Sequence, residues 1–466
     1  MLFSGIPFIF FFLTAVLLAY FTAPEKLKNA VLLLFSLAFY AWGEPRYVVL
    51  MAVSIFLGYV FGLLIEKYHG KKWDKLFLVL SVVTGLLSLG YFKYADFFIA
   101  NFNEVFGVSV PLLRIALPIG ISFYTFQIIS YTIDVYRGKV PAQRNIISLG
   151  AYVALFPQLI AGPIVRYSDI AIQLAERKHT TEKIAQGIRR FVLGLAKKVL
   201  IANVLGELCD VFQSSGDKAV LFYWLYALTF TLHIYFDFSG YSDMAIGLAK
   251  IFGFDLLENF NYPYISRSIT EFWRRWHMSL GTWFRDYVYI PMGGNRVTKP
   301  RWLFNILVVW MLTGFWHGAA WNFVVWGLWF AVLLVIEKLW LLKPLEKSRV
   351  LCHIYVLFFV LISFVIFNAD SMREAFSYIG AMFGAGDIPL VSAEFSYYLR
   401  SYAVIIVIGI IGATPLPKLT VNAVSKTKHG GTVMAFCEPV VLVLLFILCT
   451  AYLVDGSFNP FLYFRF

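Results

Sequence analysis

Charge is strongly depleted in this sequence. Only 14% of its 466 residues are Asp, Glu, Lys or Arg, against about 25% in a soluble domain, which excludes an ordinary water-soluble globule. Cysteine is scarcer still. Cys209, Cys352, Cys437 and Cys449 lie in or beside apolar segments, with no C-x-x-C and no Cys/His ligand spacing. They read as buried small hydrophobes, so neither a disulfide framework nor a metal centre is expected. Low-complexity tracts, linkers and fixed-period repeats are missing, and a single membrane domain over 1–466 accounts for the chain. No inverted-half symmetry of the kind common in transporters is visible. The first charge is Glu25, so a basic n-region is lacking, and no small-residue cleavage site follows the first apolar run. A removed signal peptide is therefore not expected.

What is abundant is apolar and aromatic surface. The chain is 60% hydrophobic and 19% aromatic, with 47 Phe, 27 Tyr and 13 Trp, and its mean hydropathy is +0.75. Apolar runs fall at roughly 6–22, 29–43, 47–65, 76–92, 115–133, 148–165, 188–206, 219–236, 302–317, 320–336, 350–367, 395–413 and 432–454. A full crossing needs about 20 residues. Several runs are short or carry charge, so about 11–12 crossings are expected, with the remainder tilted, interfacial or re-entrant. The formal charge of +12 suits basic cytoplasmic loops better than a nucleic-acid partner. Loops 23–28, 66–75, 134–147, 166–198, 255–301, 337–349 and 414–428 hold 31 of the 39 Lys and Arg. Placed in the cytoplasm, they make 148–165 re-entrant and put both the N-terminus and the tail 455–466 outside.

Chemistry-bearing residues concentrate in 233–322. The stretch "SITEFWRRWHMSLGTWFRDY" reads as one helix, capped by Ser268 with Glu271 three residues on. Glu271 and Arg275 then stand at i,i+4, and Trp273 shares a face with His277. Adjacent arginines make this helix a poor lipid-facing element. It is either an interfacial anchor or the wall of an anion site built from Arg274, Arg275, Arg285 and Arg296, with "GGNR" (293–296) as a turn or a phosphate approach. His317, in "TGFWHGAAWN", closes the run that starts near Trp302. Fifteen helical residues rise roughly 22 Å, so the imidazole lies deep, where an ionisable group faces a protein cavity and is a functional candidate by default. A neutral, hydrogen-bonded packing histidine is the competing reading. Gly314 and Gly318 bracket it at a spacing that lets helices approach. Asp237 and Asp243, in "FDFSGYSD", are expected to orient a histidine or pair with an arginine, and His233 stands four residues before Asp237.

Three long, ordered motifs carry a resemblance: "YFDFSGYSDMAIGLAKIFGF", "NFNYPYISRSITEFWRRWHMSLGTWFRDYVYIPMGGNR" and "LTGFWHGAAWNFVVWGLW". They resemble membrane-bound O-acyltransferases, and within them the bacterial branch that contains the alginate O-acetylation membrane subunit. The opening "MLFSGIPF" and the ending "FLYFRF" are similar too, so the resemblance runs the length of the chain. A cousin that acts in teichoic-acid D-alanylation shares the "FWRRWHMSL" region, whereas "YIPMGGNR" favours the polysaccharide branch. The fold implied is all-α and polytopic, a ring of about 11–12 transmembrane helices around a central funnel and tunnel. The resemblance makes His317 the catalytic base and His277 the second motif histidine. It makes 274–296 the cytoplasmic catalytic segment, with Trp316 and Asn322 as supporting candidates.

The expected reaction moves an acetyl group from cytoplasmic acetyl-CoA to an extracytoplasmic polysaccharide, across a bacterial cytoplasmic membrane, with no tightly bound cofactor. Neutral imidazole at His317 takes a proton from the attacking hydroxyl, a task suited to a pKa near working pH. Tyr463, in the Phe-x-Tyr-x-x-Phe frame of 461–466, is the acyl-relay candidate, because a phenol leaves more readily than an alcohol. The expected partner is an extracytoplasmic SGNH-type acetyltransferase or esterase. D-alanyl transfer from a carrier protein and a multi-span transporter are the competing functions.

Overall fold

A computed structural model describes residues 3–456 and 461–462. Every regular element among them is a helix. The apolar runs become helices almost one for one, because in a lipid setting a helix satisfies its own backbone. Six are long and apolar enough to cross: Val48–Lys67, Lys72–Phe106, Trp321–Glu346, Arg349–Asn368, Ala393–Gly412 and Gly430–Asp455. Pro7–Thr22 is a shorter apolar helix. Ala393–Gly412 and Gly430–Asp455 expose Val404, Ile408, Val443, Leu444 and Ile447, as suits helices that face lipid. The chain is an all-α, polytopic membrane protein.

Run 148–165 does not form a spanning helix. It folds as Ile146–Ala154 and Phe156–Leu159, broken at Leu155 ahead of Pro157. Nine residues of helix rise about 13.5 Å, less than half of a hydrocarbon core of about 30 Å.

Packing divides the chain into two compact units, Met1–Phe191 with Ser242–Leu257, and Val192–Tyr241 with Glu258–Phe466. In the first, Val48–Lys67 packs on Ile121–Tyr136 and on Lys72–Leu89, and Lys28–Gly43 packs on Ile146–Ala154. In the second, Trp321–Ile336 packs on Lys299–His317 and on Arg349–Asn368. A cluster of buried aromatics, among them Phe272, Trp276, Trp326, Phe330 and Phe364, fills its core.

Candidate active site

Helix Lys299–His317 begins with Pro300 in its first turn and ends at His317, a placement where proline's missing N–H costs nothing. The chain turns at Gly318 and enters Trp321–Ile336 as an antiparallel neighbour. The two backbones nearly touch. A Cβ at Gly314 would stand 2.1 Å from the Phe323 carbonyl oxygen, and one at Gly327 2.2 Å from that of Trp310. The close pair is therefore Gly314 with Gly327; Gly318 lies past the helix end, against the Phe323 ring. This crossing buries His317 among Trp316 at 5.1 Å, Trp326 at 5.1 Å and Phe367 at 5.4 Å between ring centroids. Asn322 donates from its Nδ2 to the carbonyls of Phe367 at 3.2 Å and Ala369 at 2.9 Å. It ties the hairpin to the end of Arg349–Asn368 and is a scaffold residue.

The Arg/Trp segment is not one helix. It folds as Ile269–Trp273 and Met278–Phe284, interrupted at His277, whose φ is +44°. The i,i+4 face expected for Trp273 and His277 is lost there. The N-terminal expectations hold: the Ser268 hydroxyl accepts from the Glu271 N–H at 2.9 Å, and Arg275 pairs with Glu271 at 2.8 Å. The break exists because the segment 258–262 pairs with it. The Met278 N–H donates to the Asn259 carbonyl, and the Asn261 N–H to the Arg275 carbonyl, each at 2.9 Å. The Asn259 side-chain oxygen accepts from the Ser279 hydroxyl at 2.9 Å and faces His277 Nδ1 at 3.1 Å. With an acceptor opposite Nδ1, the ring proton sits on Nδ1 and Nε2 carries the lone pair. That Nε2 is buried and has no hydrogen-bond partner among the described residues. Burial pushes the His277 pKa down to about 3, so the ring is neutral near pH 7. Its centroid is 6.4 Å from that of His317.

Beside His317 is a cavity of about 20 Å³, enough for a water-sized molecule. Asp237 and Leu462 line it together with Trp276, Phe364 and Phe367. Among the described residues, Asp237 bonds to neither an arginine nor His233. Its Oδ1 accepts from Lys198 Nζ at 2.6 Å and its Oδ2 from the Leu462 N–H at 2.9 Å. His233 instead meets the Ala202 carbonyl at 2.7 Å. Lys198, which the sequence places among basic loop residues, is 0% exposed. Asp243 does take an arginine, Arg190 at 2.9 Å, in the first unit.

Of the four arginine candidates, two are already engaged: Arg275 with Glu271, and Arg285 with Asp286 at 2.7 Å. Arg274 and Arg296 are exposed. The glycines of "GGNR" form a turn, with φ of +102° at Gly293 and +54° at Gly294. Asn305 pins it to Lys299–His317, donating to the carbonyls of Met292 and Gly294 at 3.2 Å each. Tyr463 lies outside the described residues.

Sequence reasoning missed Lys198, Asn259, Asn305 and Glu337. Glu337 is 0% exposed and accepts from the N–H groups of Ile269 at 2.6 Å and Thr270 at 3.0 Å, the opening of the Arg/Trp segment. For Lys198, Asn305 and Glu337 the usable signal was position, each being a polar residue within or at the edge of an apolar run; Asn259, in loop 255–301, carried no such signal.

Residues 140–373 match the profile of the membrane-bound O-acyltransferase family. The chain is 42% identical to the probable alginate O-acetylase of Azotobacter vinelandii over the full length of both proteins. It is 34% identical to the peptidoglycan O-acetyltransferase of Helicobacter pylori, over 86% of this chain and 83% of that one. The teichoic acid D-alanyltransferase of Bacillus subtilis is 31% identical over 55% of this chain and 70% of its own.

Proposed function

The chain belongs to the membrane-bound O-acyltransferase family and is an O-acyltransferase of the multi-pass membrane class, and we propose that the group it transfers is acetyl, drawn from acetyl-CoA for O-acetylation of a cell-surface polysaccharide. The observation that carries this reading is a buried His317 lining a cavity, with a second histidine, His277, 6.4 Å away. Full-length similarity to a probable alginate O-acetylase, against partial similarity to a D-alanyltransferase, favours acetyl over D-alanyl.

In the proposed step the acceptor hydroxyl gives its proton to His317 as its oxygen attacks the thioester carbonyl. The new C–O bond forms, the C–S bond breaks, and the CoA thiolate takes the proton back from the imidazolium. General-base assistance of this kind is worth about 10²–10⁴-fold. His277, neutral and aromatic-lined, packs beside it and keeps a second lone pair near the site. Arg274 and Arg296, exposed, offer the charge-assisted donors that a CoA phosphate would need. Tyr463 is the proposed acyl carrier between the donor and an extracytoplasmic SGNH-type partner. The proposed location is a bacterial cytoplasmic membrane with both termini outside, a reading supported by the 31 of 39 Lys and Arg that fall in the loops assigned to the cytoplasm.

The decisive experiment measures labelled acetyl transfer and CoA release by membranes holding wild-type or His317→Ala protein at matched levels. Loss of both activities in a folded variant is expected. Wild-type transfer by His317→Ala would overturn the base assignment, and labelled D-alanyl transfer without acetyl transfer would overturn the donor.

A further inference from the structure

Lys198 and Asp237 form an ion pair that is almost entirely withdrawn from solvent, with side chains 0% and 3% exposed. Such a pair is expensive to desolvate and is commonly replaceable by apolar packing, so its presence in a cavity wall calls for a use. Both charges reach the same short piece of chain. The ammonium of Lys198 stands 4.7 Å from the centroid of the Phe461 ring, within range of a cation–π contact. The carboxylate of Asp237 accepts the Leu462 N–H through its other oxygen, Oδ2. The Phe461 ring, 1% exposed, also meets Tyr241, edge-on at 4.8 Å. Leu462 then lines the cavity that His317 lines. The seat is thus one cation on the ring, one anion on the following amide, and an aromatic wall. It fits a Phe followed by a residue with a free N–H.

We propose that the Lys198–Asp237 pair is a latch that seats the C-terminal segment at the His317 cavity, making Lys198 and Asp237 positioning residues for acyl transfer. The next residue in the chain after Leu462 is Tyr463. The latch therefore supplies what an acyl relay requires, a fixed anchor one peptide bond before the carrier hydroxyl. That consequence rests on the relay reading under Proposed function; the latch itself does not.

The test uses full-length protein in detergent, digested with a carboxypeptidase and followed by intact mass. The tail sequence is left unaltered, so the protease meets the same residues in every variant. Lys198→Met combined with Asp237→Leu removes both charges at once, and apolar replacement of a buried ion pair is commonly tolerated by a fold; thermal melting in detergent checks that it is. This double variant should lose residues 461–466 about tenfold faster than wild type or more, as expected for loss of bonds to charged groups. Lys198→Arg, which keeps the cation, should stay within about threefold. Trimming of the double variant at the wild-type rate would overturn the latch. The relay is read separately, as an acetyl mass on the chain after incubation with acetyl-CoA. If Tyr463→Phe and wild type acquire the same acetyl mass or none, the relay falls while the trimming result still decides the latch. Equal Tyr463 acetylation in wild type and the double variant would overturn the positioning role.

Discussion

Gly314→Ala is the sharpest single test of how this site is built. The substitution adds one methyl group to a helix interior, where alanine is favoured over glycine by about 0.5–1 kcal/mol. Propensity alone predicts a more stable protein. The packing predicts the reverse. The new Cβ would stand 2.1 Å from the Phe323 carbonyl oxygen and 3.0 Å from its carbon, where ordinary contact begins at 3.4 Å. The obstacle is backbone, so no side chain can swing aside, and the hairpin must open by about 1 Å at Gly314. Overpacking of this kind costs about 1–3 kcal/mol or more, which exceeds the propensity gain. His317 is three residues further along the same helix and moves with it. A misplacement of about 1 Å at a reacting group costs about 10²-fold in rate. The expected result is a protein that inserts but is less heat-stable in detergent, with acetyl transfer down by about 10²-fold. Gly90→Ala is the control, since nothing lies within 4 Å of a Cβ there. Wild-type transfer and stability in Gly314→Ala would refute both the close crossing and the dependence of His317 on it.

Two further predictions follow from buried polar groups. Glu337→Ala strands the N–H groups of Ile269 and Thr270, at about 1–3 kcal/mol for each buried group left unsatisfied, whereas Glu337→Gln keeps one acceptor oxygen and should lose less; chemical or thermal denaturation in detergent ranks the two. His277 should make the protein acid-labile. Its folded pKa is pushed from 6.5 to about 3, so between those values the unfolded chain binds a proton that the native one refuses. Its contribution is complete above pH 6.5 and is lost as pH falls towards 3, at up to about 1.4 kcal/mol per pH unit. A His277→Asn variant should show a flatter stability profile over that window, and an unchanged slope would count against a buried neutral ring.

How much of this was legible in the sequence depends on the kind of constraint. Helix positions were legible because bilayer thickness and backbone satisfaction act on local composition, and runs such as 350–367 and 432–454 carry that signal alone. The Ser268 cap and the Glu271–Arg275 pair were legible because both ends lie within one turn. What failed was whatever depends on a distant partner. The segment 269–284 has helical composition throughout, yet the strand-like pairing of Asn259 and Asn261 with it breaks the helix at His277, whose ring ends 6.4 Å from that of His317. Lys198 looked like one more basic loop residue, because charge counting cannot see Asp237, 39 residues away, or an amide 225 further on. Glycine spacing pointed to Gly314 but chose the wrong companion, since Gly327 sits on the next helix and only the crossing reveals it. Depth in the membrane made His317 a candidate, and long-range packing is what gives it a cavity to face. The residues that hold such a site are therefore to be sought among polar side chains embedded in apolar runs, where burying a charge without a partner would cost more than the fold can spare.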